Sequence, residues 1–308
     1  MTDILFIFRT LPQVPAWAFM WLLALAIFAA CKWMTWRRAL ADARCQREES
    51  DFGIHGASVC YPKPAVARSL GYLLAWVGMD GRAFLLSARP RSKPNTQEWL
   101  FAGIKTVFGA ALVWAIVRLV PSTVPLLRGW IGLTGMVFLL HFGLFHLLAL
   151  VWQRAGVDAQ PIMRAPVLAA SVAEFWGRRW NLAFHQLAHE LVFRPLRRKF
   201  GLPVVTLAVF LLSGLVHEAV ISIPARGGYG GPTLYFLLQA LAVLWERYGT
   251  CQKSMHMHKG LAPAIGSGFG WQGRLWTLAC TAGPLGLLFH PPFVTRVILP
   301  FLQVIGAL

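Results

Sequence analysis

The chain has 308 residues, of which 57% are hydrophobic and only 13% are charged, and its formal net charge at pH 7 is +17. A soluble domain carries about 25% charged residues, so this composition excludes an ordinary soluble protein and predicts an integral membrane protein. The basic residues lie between apolar runs and form no domain of their own, which indicates loops facing anionic lipid and argues against nucleic-acid binding.

The first apolar run, Gln13 to Cys31, is too long for the core of a cleavable signal peptide, and Lys32, Arg37 and Arg38 follow it directly. It predicts an N-terminal anchor helix over residues 13–36. Later apolar runs of about 20 residues predict further spans and bring the total to about seven. They are Gln97–Val120, Gly129–Gln153, Gly201–Ile223, Gly227–Trp245, Leu275–Thr295 and Phe293–Leu308.

Basic loops alternate with short, nearly neutral loops along the chain, which predicts the N-terminus outside and the C-terminus inside. Arg194–Lys199 and Lys253–Lys259 fall on the cytoplasmic side in this topology. The apolar run Ser69–Met79 is too short to cross, so we expect an interfacial or re-entrant segment there. The predicted class is an all-α, polytopic membrane protein of one domain, residues 1–308, with re-entrant or interfacial helices beside its spans.

Five cysteines, an odd number, occur without any CxxC pair, which predicts neither a disulfide framework nor a metal site. Packing as small apolar residues is the expected role of such thiols. They are Cys31, Cys45, Cys60, Cys251 and Cys280.

The stretch SGLVHEAVIS places His217 and Glu218 inside an otherwise uncharged span. Ionisable groups at such depth are usually functional, although a histidine bonded across helices is the structural alternative. Ser213 and Gly214 precede His217 by four and three residues on the same helix face. Their small side chains leave room either for a ligand or for a closely packed neighbouring helix.

The stretch SVAEFWGRRWN, residues 171–181, combines aromatic, basic and amide side chains just before that span. An interfacial amphipathic helix is the structural interpretation, because tryptophan and arginine favour the membrane–water boundary. A catalytic interpretation is also open, because the amide of Asn181 can orient a histidine ring or hold a reacting carbonyl group.

Together, EFWGRRWN and LLSGLVHE resemble the wax-synthase-like branch of the membrane-bound O-acyltransferase superfamily, and WVGMDGRAFL resembles a segment upstream in that branch. The resemblance covers residues 76–247 and makes residues 141–250 the motif-bearing catalytic core. It implies a multi-helix fold with a tunnel to a buried histidine, acyl-CoA as the acyl donor and co-substrate, and no cofactor. Its catalytic histidine corresponds to His217 and its upstream polar residue to Asn181.

The function expected from these observations is transfer of a fatty acyl group from acyl-CoA to a long-chain alcohol or other lipid acceptor, in a bacterial inner membrane. His217 acts as general base, because imidazole titrates near neutrality and is cheap to bury uncharged. We expect six residues near it to contact substrate: Trp176, Arg178, Arg179, Trp180, Ser213 and Glu218.

Three alternatives stay open from the sequence. The acceptor could be a polysaccharide or another polar hydroxyl compound, the chain could be a proton-coupled transporter using His217 and Glu218, or it could be a non-catalytic scaffold. Only 12 acidic residues occur, mostly in loops, which disfavours a proton path. His185 and His189 share one helix face, but no HExxH accompanies them, so metal binding is disfavoured as well.

Overall fold

A computed structural model describes residues 14–51, 65–87, 93–257 and 270–308, and every regular element within these ranges is a helix. Cys60 and Lys259 lie outside the described residues. We number the helices in chain order. They are α1 (Ala16–Asp51), α2 (Val66–Leu74), α3 (Gly81–Leu86), α4 (Thr96–Leu119), α5 (Pro125–Arg154), α6 (172–179), α7 (182–197), α8 (Leu202–Ala225), α9 (Gly231–Met257), α10 (Gly270–Leu288) and α11 (Pro291–Val304).

Four of these helices are long and apolar enough to cross a membrane on their own: the first part of α1, Ala16–Ala43, and the whole of α4, α5 and α8. The pair α10 and α11 meets the same criterion only together and is bent by 62° at the break. The described residues therefore give four spans, or five if the bent pair is one span. The all-α, multi-pass class is confirmed, whereas the count of seven is not.

The difference from seven arises at α9, α10 and α11. Helix α9 has 27 residues and is long enough to cross, but it is not among the helices apolar enough to qualify. The apolar runs expected to form two separate spans near the C-terminus instead meet at the bend, where Pro291 and Pro292 begin α11. Proline cannot continue the hydrogen bonding of a preceding helix, which explains the break.

Short π-helical turns interrupt most of the long helices. In α8 the α-helical part Leu202–His217 passes into a π-turn over Glu218–Ser222, and in α5 a π-turn covers Phe138–Leu144. Helix α6 consists largely of such a turn, Phe175–Arg179. These wider turns change which way the following side chains point, and they are frequent at functional sites.

Helices α8 and α9 pack closely where Gly214 faces Thr233. A Cβ atom added to Gly214 would lie only 2.8 Å from the Cα atom of Thr233. Buried side chains of α4, α5, α8, α9, α10 and α11 form one apolar cluster. The loop between α8 and α9 turns at two glycines with positive φ, Gly228 and Gly230.

A smaller cluster joins α1 to α2 and α3. Lys32, only 1% exposed, donates to the carbonyl oxygen of Gly78 at 2.7 Å and lies over the Tyr72 ring. The hydroxyl groups of Thr35 and Tyr72 are 2.7 Å apart. Helix α2 has nine residues, about 14 Å at 1.5 Å per residue, so it is too short to cross.

Candidate active site

His217 lies at the end of the α-helical part of α8, just before the π-turn Glu218–Ser222. Its Nδ1 is 2.7 Å from the carbonyl oxygen of Ser213. A carbonyl oxygen can only accept, so Nδ1 carries the proton and the neutral ring keeps its lone pair on Nε2. The ring packs against Phe236 of α9, with the ring centroids 4.5 Å apart.

Trp176 connects the aromatic motif to this histidine through Phe236. The Trp176 and Phe236 rings are 5.6 Å apart, and Trp176 also meets Phe210 of α8 edge to face at 5.9 Å. The indole nitrogen of Trp176 donates to Gln239 at 3.2 Å. The two sequence motifs are therefore joined by a continuous set of aromatic contacts that ends on His217.

Asn181 and Trp180 have contacts of a different kind. Asn181 adopts a left-handed backbone conformation, with φ of 41°, and its side-chain oxygen accepts the backbone N–H of Phe184 at 3.2 Å. It thus caps the first turn of α7. Trp180 stacks on Phe175 at 5.4 Å and meets Phe142 of α5 at 6.1 Å. The catalytic role of Asn181 stays a prediction.

The two arginines of the motif differ in their surroundings. Arg178 is exposed. Arg179 forms an ion pair with Glu174, with 2.7 Å between nitrogen and oxygen, and donates to the carbonyl oxygens of Arg164 and Ala165 at 3.3 Å. Arg179 therefore ties α6 to the preceding loop, and of the two it is Arg178 that is turned to the surroundings.

Ser213 and Gly214 are packed against protein in the structure. Ser213 is 4% exposed and its hydroxyl donates to the carbonyl oxygen of Val209 at 3.0 Å. Gly214 has the backbone of Thr233 against it. Gly214 thus admits helix α9 at this position, which supports the packing interpretation, and the predicted contact of Ser213 with substrate stays a prediction.

Glu218 points to the start of α9. Its carboxylate accepts the backbone N–H of Gly230 at 2.8 Å, and the backbone N–H and hydroxyl of Thr233 at 3.3 and 3.0 Å. A carboxylate at a helix N-terminus satisfies free N–H groups and is favoured by the helix dipole. These contacts support a structural role for Glu218, and its predicted contact with substrate stays a prediction.

The other histidines have separate partners. His146 lies 2.8 Å from the Lys105 amine, His141 packs on Phe145, and the His185 and His189 rings stack at 6.2 Å. Within the described ranges, no group of three or more histidine, cysteine or acidic residues could hold a metal ion.

A groove of about 760 Å³ lies on the outer face of α4, between Thr96 and Phe108, and contains none of the predicted site residues. A second, of about 270 Å³, follows Trp36–Ala41 of α1 and contains none of them either. A tunnel reaching His217 stays a prediction.

Two residues that contact the site lie outside the sequence predictions. Phe236 is an apolar residue in an apolar run, so nothing in the pattern marks it. Gln239 carried a signal, because it is a polar residue within the run LLQALAV. It is 1% exposed, and it links Trp176 to the carbonyl oxygen of Cys280, to which it donates at 2.8 Å.

Fold and site together define a multi-pass, all-α membrane protein in which a histidine within a span is connected through Phe236 to an aromatic and basic motif. Residues 159–238 match the model of the membrane bound O-acyl transferase family. The matched range contains both EFWGRRWN and LLSGLVHE. The resemblance to that superfamily, and to its wax-synthase-like branch, is confirmed by this match and by the relatives described next.

The relatives come from plants. A probable long-chain-alcohol O-fatty-acyltransferase 9 of Arabidopsis thaliana is 28% identical over 226 residues, which cover 68% of this chain and 62% of the relative. A probable long-chain-alcohol O-fatty-acyltransferase 3 of the same plant is 33% identical over 173 residues, which cover 51% of this chain and 50% of the relative. The long-chain-alcohol O-fatty-acyltransferase of Simmondsia chinensis is 35% identical over 71 residues, covering 20% of each. The chain thus spans less than two thirds of the length of these relatives.

Proposed function

We propose that this protein is a membrane O-acyltransferase that transfers a fatty acyl group from acyl-CoA to a long-chain alcohol, with His217 as general base. The observation that carries the proposal is the hydrogen bond from His217 Nδ1–H to the Ser213 carbonyl, which leaves Nε2 unprotonated within the family-matched segment. The names of the plant relatives support the fatty acyl group and the alcohol.

In the proposed reaction, Nε2 of His217 takes the proton of the alcohol hydroxyl as the oxygen attacks the thioester carbonyl carbon. The tetrahedral intermediate then collapses, the C–S bond breaks, and the CoA thiolate receives the proton from the imidazolium. The products are an ester and free CoA. The hydrogen bond to Ser213 keeps the ring in the tautomer that this sequence of steps requires.

Asn181 is proposed to assist through its amide nitrogen. Its side-chain oxygen accepts from Phe184, and the amide nitrogen carries two N–H donors that can stabilise an oxyanion or hold a reactant. We further propose that Arg178 attracts the phosphates of CoA, because it is exposed and carries a permanent positive charge. Trp176 and Trp180 would supply the apolar wall for the alkyl chains.

The test compares two histidine variants in nanodiscs, using radiolabelled acyl-CoA and a panel of long-chain alcohols, diacylglycerol and a soluble polyol. His217→Ala should lose about 10²–10⁴ in rate, the usual loss for a general base, which is roughly 3–5 kcal/mol at 1.36 kcal/mol per decade. His185→Ala, outside the aromatic contacts to His217, should keep the rate of the unmodified protein. The measurement is ester formed per folded protein.

Different outcomes reject different parts of the proposal. Equal rates in His217→Ala and the unmodified protein would exclude the general base. Ester formation only with the polyol would replace the lipid alcohol by a polar acceptor. The relatives are plant proteins, so they do not support the bacterial inner membrane expected from the sequence, and fractionation of the native host's membranes would identify where the protein resides.

A further inference from the structure

A chain of three polar side chains, His290, Ser222 and Glu218, lies close to the start of α9. Ser222 is 0% exposed and His290 is 5% exposed. The hydroxyl oxygen of Ser222 is 3.2 Å from Nε2 of His290, and Ser222 follows Glu218 by four residues, so its side chain lies beside the Glu218 carboxylate. A histidine from the bend between α10 and α11 is thus connected to the residue next to His217.

The direction of each hydrogen bond follows from the atoms involved. Nδ1 of His290 accepts the backbone N–H of Phe293 at 3.2 Å, so the neutral ring carries its proton on Nε2. Nε2–H then donates to the Ser222 oxygen, which leaves the Ser222 hydroxyl proton available to the neighbouring carboxylate of Glu218. The serine lies between the histidine and the acid. This order excludes a serine-hydrolase arrangement, in which the acid would contact the histidine and the serine would face substrate.

The carboxylate at the end of this chain holds the first turn of α9. Glu218 accepts from Gly230 and from Thr233, which lies three residues before Phe236. Phe236 in turn packs against the His217 ring at 4.5 Å. The side chain that orients the start of α9 therefore also fixes the surface against which the catalytic ring rests.

The loop before α9 packs tightly against this chain at Gly228. Gly228 has a φ of 73°, and a side chain there would collide with the His290 ring. The backbone N–H of Gly231 donates to the carbonyl oxygen of Gly228 at 3.1 Å. Since the ring, the loop and the helix start constrain one another, rotation of Glu218 would require the loss of several hydrogen bonds at once.

We propose that His290 and Ser222 are positioning residues of the active site. Through Glu218 they fix the start of α9 and hold Phe236 against the ring of His217. The proposal rests on the acyl transfer proposed above for its kinetic consequence, but its structural consequence is measurable without any turnover.

The experiment uses Ser222→Ala, with Ser222→Thr as the conservative variant that restores a hydroxyl group. Thr206→Val is the matched control, because Thr206 is 5% exposed on the same helix and its hydroxyl donates only within that helix, to Leu202. Carbethoxylation of His217 by diethyl pyrocarbonate is followed by peptide mapping, and acyl transfer is measured in parallel on protein normalised for folding.

Ser222→Ala should raise the modification rate of His217 and lower kcat about tenfold, as expected for one lost hydrogen bond to a charged group. The KM for acyl-CoA should stay within about twofold, because the donor's binding groups are untouched. Ser222→Thr should recover both values. In the double variant Ser222→Ala, Glu218→Gln the loss should not exceed that of Glu218→Gln alone, because the two residues act through one connection.

If Ser222→Ala and Thr206→Val give the same modification rate of His217 and the same kcat, the positioning role of Ser222 and His290 is overturned. Losses that add in the double variant would overturn it as well. Absence of acyl transfer by the unmodified protein would reject the proposed function, while the modification rates would still decide whether the chain of hydrogen bonds positions His217.

Discussion

Adjacent residues of identical type can have separate roles, as Arg178 and Arg179 illustrate. Arg179 is paired with Glu174, whose side chain is 28% exposed, and it also bonds two backbone carbonyls. The backbone N–H of Ala170, together with the Arg179 guanidinium, holds the pKa of Glu174 below its usual range. Arg178, by contrast, is exposed.

Arg179→Ala should therefore destabilise the protein by roughly 1–3 kcal/mol, the range for hydrogen bonds to charged groups, while Arg178→Ala should leave the melting temperature unchanged. Because the Glu174 pKa is lowered in the folded state, its stabilisation exists above the ordinary carboxyl pKa of about 4.3 and is lost as pH falls through the folded value. Thermal unfolding of both variants at pH 7 and pH 3.5 measures the stabilisation that the Arg179–Glu174 pair provides. Equal melting temperatures of the two variants at pH 7 would contradict a stabilising role of Arg179.

A functional residue could be predicted from the sequence only where its type differs from that of its neighbours, as a polar residue does within an apolar run. His217 was recognisable because it is ionisable within an apolar run, and Gln239 could have been found in the same way. Phe236 has no such contrast. Asn181 suits both a helix cap and an oxyanion donor, and only its side-chain hydrogen bond from the backbone N–H of Phe184 identifies the cap.

At the scale of helices, the pairing of α8 with α9 determines the environment of His217. The contact depends on Gly214, which has the backbone of Thr233 against it. Gly103 of α4 is the opposite case, because a Cβ there would meet no atom within 4 Å. The sequence shows the same residue type within a helix in both places, and only the packing separates a required glycine from a replaceable one.

Gly214→Ala should force α8 and α9 apart and destabilise the protein by about 1–3 kcal/mol, as overpacking does. Gly103→Ala should be neutral or stabilising by up to about 1 kcal/mol, because alanine has the higher helix propensity. Unfolding in denaturant measures both, and equal stability of the two variants would show that the helices can separate at no cost. Gly214→Ala should also reduce acyl transfer, since Phe236 moves with α9.

For the whole molecule, the arrangement of the spans was only partly predictable. Apolar length and basic loops identified α1, α4, α5 and α8 as spans. The C-terminal part could not be resolved in the same way, because a run of apolar residues does not reveal a 62° bend. Helix α9 is the element on which the count depends, since its 27 residues extend about 40 Å at 1.5 Å per residue.

Single cysteines on either side of α8 and α9 test the topology. Lys199→Cys precedes α8, Tyr229→Cys follows it, and Arg274→Cys follows α9; all three positions are exposed. Impermeant maleimide added to intact cells should label Tyr229→Cys alone, because both basic segments are expected inside. Outside labelling of Lys199→Cys would reverse the orientation. Outside labelling of Arg274→Cys would show that α9 does not cross.

The buried amine of Lys32 also imposes an order on how the chain is made. Its acceptor, the Gly78 carbonyl, lies 46 residues later in the sequence, so the ribosome delivers α1 to the membrane before that acceptor has been synthesised. Lys32 directly follows the apolar run Gln13–Cys31, so its amine can reach the membrane–water interface until the acceptor arrives. The burial of this amine is therefore a late step, which must wait for the segment that contains Gly78 to be made and to pack against α1.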